Sequence, residues 1–276
     1  LMNILGIDFE DWYHPELISP HVKKEERKPI IINSLDSILE WLRKNETYAT
    51  FFVVGELLKI QPDMIDKILS NGHEIGFHTM NHTRLDSFEY NKKFELEIKE
   101  FDVLTNKKSK GFRAPTFSLN KECSWIIDVL EKNNYVYDSS VVPVKTSMYG
   151  IPSAPKFPYK ISSSSIDSEN PNGKIIEFPL LTTKFLGKKI PAGGGFYLRT
   201  LPLAIIKNAI RRMEKTTHPS TFYIHSWELD PKNMPRIKIP KKDSFITYHN
   251  LEKAKEKMTK LLAEFNFTSF ERFLQI

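Results

Sequence analysis

Apolar residues crowd positions 3–9 and stop at acids. From 32 to 42 they recur at helical spacing behind Asn33 and Ser34, two cap candidates. The pattern predicts a strand followed by a helix, and it repeats. Residues 48–54 are β-branched and aromatic, and 56–69 are helical with Pro62 starting a second helix. Residues 73–77 read as a strand, 89–104 as an amphipathic helix, 110–112 as a strand, 121–132 as a helix and 135–137 as a strand. Serial βα units of this kind argue for an α/β fold with a parallel sheet or barrel.

From 142 to 191 the pattern changes. Prolines stand at 143, 152, 155, 158, 171, 179 and 191, and serines run from 162 to 165. This Pro-rich stretch, taken to about 195 with its closing glycines, is expected to be an insertion in one domain spanning 1–276. Within it, 174–181 and 183–190 are expected to be extended and paired as a hairpin. Alternation then resumes with a helix at 201–214, a strand at 221–225, a helix at 250–265 and a last strand or short helix at 267–274.

Composition narrows the function classes. The 276 residues hold 40 Lys and Arg against 34 Asp and Glu, a net charge of +6, but the excess is scattered without interleaved stacking aromatics. No nucleic-acid partner is expected. The longest apolar runs, such as 49–55, fall far short of the roughly 20 residues of a membrane span. The opening run is short and followed by acids, unlike a secretory leader, so a cytoplasmic chain is the expectation. The single cysteine, Cys123, leaves no disulfide framework and no multi-cysteine zinc site.

In parallel α/β sheets, chemistry gathers at the carboxyl ends of strands. Asp8, Glu10 and Asp11 end the first run, His78 and His82 follow the third, Arg113 ends the fourth, Asp138 the fifth, and His225 the late run 222–224. Core packing gives no reason for such groups to share one rim. His78 and His82, four residues apart, can aim two imidazole nitrogens at one cation. A carboxylate from the acidic trio completes a two-His, one-carboxylate site and relieves the repulsion among three neighbouring acids. Glu10 lies two residues from Asp8, on its side of an extended chain, and Asp11 can reach round a turn, so both stay candidate ligands. Arg113 can clamp a carboxylate bidentately. The Gly193-Gly194-Gly195-Phe196-Tyr197-Leu198-Arg199 segment frees the backbone to approach a ligand, with Tyr197 and Arg199 as contacts.

These blocks, Gly6-Ile7-Asp8-Phe9-Glu10-Asp11-Trp12, the histidine block from Gly72 to His82, Arg113-Ala114-Pro115, Tyr137-Asp138-Ser139-Ser140 and Tyr223-Ile224-His225, follow in an order that resembles the polysaccharide deacetylases. This is carbohydrate esterase family 4, with the NodB-homology fold. Asp-Phe-Glu-Asp-Trp and His-Ser-Trp-Glu-Leu-Asp are similar to the branch often associated with exopolysaccharide assembly, itself related to cyclic-amide hydrolases. The resemblance implies a distorted, incomplete (β/α) barrel, commonly seven-stranded.

It also implies a metal-dependent hydrolase that removes N-acetyl groups from an amino-sugar poly- or oligosaccharide, with one divalent ion, zinc being the favoured one. Asp8 would be the base, Arg113 its partner and His225 the acid. Glu10 or Asp11 would join His78 and His82 on the metal. Thr116, Phe117, Asp138, Tyr197, Arg199 and Trp227 would meet substrate, Asp138 alternatively orienting His225. The family's paired Asp-Asp is here Asp8-Phe9-Glu10-Asp11, and the tryptophan block of peptidoglycan deacetylases is not evident, which argues against peptidoglycan. Two rival readings are an allantoinase-like cyclic amide hydrolase and a catalytically silent glycan-binding module.

Overall fold

The computed structural model describes residues 1–276. Its strands are β1 (Met2–Phe9), β2 (Thr50–Val53), β3 (Glu74–Phe77), β4 (Gly111–Phe112), β5 (Tyr137–Asp138), β6 (Tyr159–Ile161), β7 (Ile175–Glu177), β8 (Thr182–Phe185), β9 (Lys188–Pro191), β10 (Thr221–His225) and β11 (Asn266–Thr268). The main sheet runs β10-β1-β2-β3-β4-β5-β7-β6, with β11 branching off β1. From β10 to β7 every pairing is parallel, which makes seven staves of an incomplete barrel. Only isolated bridges, Leu180 to Thr221 and Gly194 to Tyr223, span the gap between the ends. β6 is an antiparallel edge strand.

Alternation along each strand divides inside from outside. Leu5, Ile7 and Phe9 of β1 join Phe51, Val53, Ile75, Phe77 and Phe112 in the large core between sheet and helices. Ile4, Phe52 and Tyr137 instead form a small core with Phe178 and Phe270. Phe270 belongs to the terminal helix Phe270–Leu274, and its ring stacks on Tyr137 with centroids 4.6 Å apart.

Several elements differ from the sequence pattern. The extended segments of the insertion do not pair with each other. β7 joins the main sheet, and the hairpin is β8 with β9, which together span the whole second segment. Leu186 and Gly187 turn that hairpin in left-handed conformations, a turn that the interrupted alternation of the segment hid. The 89–104 helix begins only at Phe94, after a short 3-10 turn. Helices Ser226–Leu229 and Lys241–Tyr248 were not predicted, being short or lacking an apolar period. The expected break at Pro62 divides Gly55–Ile60 from Met64–Ser70.

Glu74 closes the barrel floor. Its carboxyl accepts from Thr50 and Tyr137 hydroxyls and, at 3.0 Å, from the Glu271 amide of the terminal helix. Burial, then the Glu271 charge, pushes this carboxyl up to about 8. A group raised above its unfolded value stabilises fully below that value and loses the contribution as pH rises through the folded one. Unfolding free energy measured by denaturant titration should therefore fall by a few kcal/mol between about pH 5 and 9. Glu74→Gln should lose that part of the slope, and an identical slope in the variant would place the dependence elsewhere.

Candidate active site

The carboxyl ends of the staves converge on one cleft. Asp8 and His225 are register partners on β1 and β10, so their side chains share the inner face at the barrel mouth. Asp8 is 3% exposed and accepts from Arg113 Nη1 at 2.9 Å. Arg113 is fully buried, donates to Ser139 O and Oγ, and lies 4.4 Å over the Phe52 ring. Gly6 makes room for it: a Cβ there would stand 2.5 Å from the guanidinium.

Glu10, His78 and His82 bring one donor atom each within 4.8 Å of one another, all buried. His78 Nδ1 bonds the Arg113 carbonyl at 2.7 Å, which leaves Nε2 for the cleft. His82 reaches the trio because its backbone adopts φ 56°. Glu10 Oε1 accepts from Trp227 Nε1 at 3.0 Å, and Oε2 stands 2.5 Å from His82 Nε2 without hydrogen-bond alignment. Burial pushes the Glu10 carboxyl up, but His82, His225 and His78 outweigh it and hold it well below the carboxylate range. Burial pushes His78 down to about 4, favouring the neutral imidazole a metal needs. Donor atoms of a tetrahedral zinc site lie about 3.4 Å apart, so small side-chain shifts suffice and the trio fits a divalent cation.

His225 Nδ1 pairs with Glu228 Oε2 at 2.8 Å, and its ring stacks on Trp227 at 4.3 Å. Burial lowers His225, yet the Glu228, Glu10 and Asp8 charges outweigh it and raise its pKa. Glu228 is itself buried and held by Arg199 Nε at 2.7 Å.

Asp11 and Asp138 stand apart from the roles the sequence suggested, whereas Arg199 and Trp227 line the cleft but already hold partners within the chain. Asp11 is not in the trio: its carboxylate accepts from the Trp12, Ile30 and Ile31 amides and ties the loop after β1. Asp138 neither reaches His225 nor lines the cleft. It accepts from Ser140 Oγ at 2.5 Å, and that hydroxyl in turn accepts from the Ala114 amide, so it supports the Arg113 loop from behind. Burial pushes Asp138 up to about 6, and burial with the Asp138 charge pushes its neighbour Glu177 well above the carboxylate range. Arg199 borders the cleft at 2% exposure, but Glu228 and the carbonyls of His249 and Ile246 take its guanidinium. Trp227 serves Glu10 and His225 before any ligand.

Thr116, Phe117 and Tyr197 do line the cleft. Thr116 and Phe117 adopt φ 54° and 49°; the Phe117 amide is used by Ala114 O, whereas the Thr116 amide makes no hydrogen bond within the chain. Sequence reasoning missed Glu228 and His14. His14 stacks on His82 at 6.0 Å and bridges the Asp11 amide to Glu56. Glu228 stood three residues after His225, the capping-box interval, which was the available signal.

An incomplete parallel (β/α) barrel with a carboxylate and histidine cluster at its strand ends is the class this chain represents. The polysaccharide deacetylase profile matches residues 32–137, and a domain of unknown function, DUF3473, matches 139–275. Over residues 32–137 the chain thus belongs to the polysaccharide deacetylase family, the family its motifs resemble. It is 38% identical to a peptidoglycan-N-acetylglucosamine deacetylase of Bacillus cereus over 26% of this chain and 30% of that protein. It is likewise 38% identical to a chitooligosaccharide deacetylase of Rhizobium leguminosarum bv. trifolii over 23% of this chain and 29% of that protein. The chain thus matches under a third of each relative's length. A provisionally named polysaccharide deacetylase from Mycobacterium smegmatis shares the fold, with TM-score 0.62 and 14% identity over 99% of this chain and 90% of that one. No helix is long and apolar enough to cross a membrane.

Proposed function

We propose that the protein hydrolyses the N-acetyl group of an amino-sugar-containing glycan, with the whole chain acting as one deacetylase domain. The observation that carries this reading is the convergence of three units in one cleft. These are the Asp8 and Arg113 pair, the Glu10, His78 and His82 trio, and the His225 and Glu228 pair. Glu10, His78 and His82 would hold one divalent ion, with zinc favoured by the donor set. When bound, such an ion polarises a carbonyl and makes water more acidic.

Asp8, on the inner face beside the trio, takes the proton of the attacking water, and Arg113 fixes which of its oxygens is free. The water oxygen bonds to the acetyl carbon, and the negative charge gathers on the former carbonyl oxygen. The Thr116 amide is the backbone donor available to it. The C–N bond then breaks as His225 delivers a proton to the departing nitrogen, giving acetate and a free amine. Glu228 accepts from the other ring nitrogen, and its charge favours the imidazolium, the form that has a proton to deliver.

Metal-reconstituted protein incubated with N-acetylglucosamine oligomers should release acetate, and a chelator should abolish the release. No acetate from any N-acetylated glycan, with ring opening of a cyclic amide instead, would favour the rival hydrolase. Binding without either reaction would favour the silent module. Glu228→Gln should lower turnover on the order of 10²-fold, because a neutral amide no longer favours the imidazolium that donates the proton. A substrate with a better leaving group should recover part of that loss; equal loss on both would make Glu228 merely structural.

A further inference from the structure

The cleft does not share the basic excess of the whole protein. The chain has 40 Lys and Arg against 34 acids, yet of the 21 residues lining the cleft Arg199 alone is a lysine or arginine. Its guanidinium is committed to Glu228 and two backbone carbonyls. Asp8, Glu10 and Glu16 line the same space. Asp8 has Arg113 and Glu10 has the histidines, so a divalent ion among them would meet charges already arranged to offset it. Glu16 has no comparable partner. Arg84, the cation that feels its field, is clasped bidentately by Asp86 and turned toward the Met148 carbonyl. Much of the remaining wall is aromatic, with Tyr149, Phe196 and Tyr197 partly exposed and Phe117 buried behind Tyr149.

We propose that this cleft selects an uncharged N-acetylated sugar against one bearing a carboxylate, and that Glu16 is the specificity-determining residue. The proposal rests on the deacetylase reading for the word N-acetylated, and on the charge of the wall for the rest. A sugar carboxylate would enter beside a half-buried carboxylate with no guanidinium free to clamp it. Like-charge juxtaposition of that kind rejects a ligand more effectively than missing contacts do. An uncharged ring loses nothing to Glu16 and packs its C–H faces on the aromatic side chains.

The test compares the N-acetylglucosamine tetramer with the same tetramer oxidised to a carboxylate at C6 of one unit, on the metal-reconstituted full chain. Binding by calorimetry and acetate release are both measured. Affinity for the neutral tetramer should exceed that for the oxidised one by about tenfold at low salt, with the gap narrowing at high salt. Glu16→Lys should shift the ratio about tenfold toward the oxidised tetramer. Asp66→Lys, the same charge change on the outer face of the Met64–Ser70 helix, should not shift it. Equal binding of both tetramers, or a ratio indifferent to Glu16→Lys, overturns the proposal. Charge-selective binding without acetate release leaves the selection standing and sinks the deacetylase reading instead. Binding of neither overturns both.

Discussion

Asp8→Asn is expected to bind metal as the parent protein does and to lose turnover by a factor on the order of 10² to 10⁴. The expectation rests on where its oxygens lie. Asp8 is outside the Glu10, His78 and His82 trio, and one of its oxygens is engaged by Arg113 Nη1 at 2.9 Å. An asparagine can keep the side chain's shape but cannot take a proton from water. It also leaves a buried guanidinium facing an amide, so melting temperature must be followed alongside rate to separate lost chemistry from lost packing. A variant that keeps its fold but loses metal would exchange the roles of Asp8 and Glu10. A folded variant with parental turnover would remove the base assignment altogether.

The second large effect separates two neighbouring acids. Glu10→Gln should weaken metal binding by more than about a hundredfold, whereas Asp11→Asn should still bind one ion per chain. Glu10 presents Oε2 to the histidines while Trp227 holds its other oxygen. Asp11 faces the other way, into three amides of its own loop. Its replacement should cost stability, about 1–3 kcal/mol if an amide N–H is left unsatisfied, but not stoichiometry. Elemental analysis after chelator stripping and reconstitution reads both variants. Retention of metal by His78→Ala combined with His82→Ala would place the ion elsewhere.

The deacetylase chemistry proposed for the cleft depends on support that lies outside it. The Ser140 hydroxyl receives the Ala114 amide while Asp138 holds it from below, which keeps the turn after Arg113 in place. Arg199 bonds carbonyls at 246 and 249, and so ties the Lys241–Tyr248 helix to the Glu228 and His225 pair. The aromatic wall is thus fixed to the acid end of the site by one buried guanidinium.

The sequence by itself determined the βα alternation and the rim on which its polar residues stand, because both follow from local periodicity and from strand ends. It also carried Asp8, His78, His82, Arg113 and His225 into one neighbourhood, since parallel staves bring their carboxyl ends together. Only the tertiary structure separates Glu10, which stands with His78 and His82, from Asp11, which does not. Both leave the same strand end, and what separates them is the company of Trp227 from β10's far side and of the amides at 30 and 31. It also placed Asp138 behind the Arg113 loop and gave Arg199, at the cleft edge, buried partners of its own, because a charged side chain reads alike in sequence whether it faces a cleft or a buried partner. The hairpin within the insertion escaped for a related reason: β7 finds its partners in β5 and β6, and no local pattern records which neighbour a short extended segment will pair with.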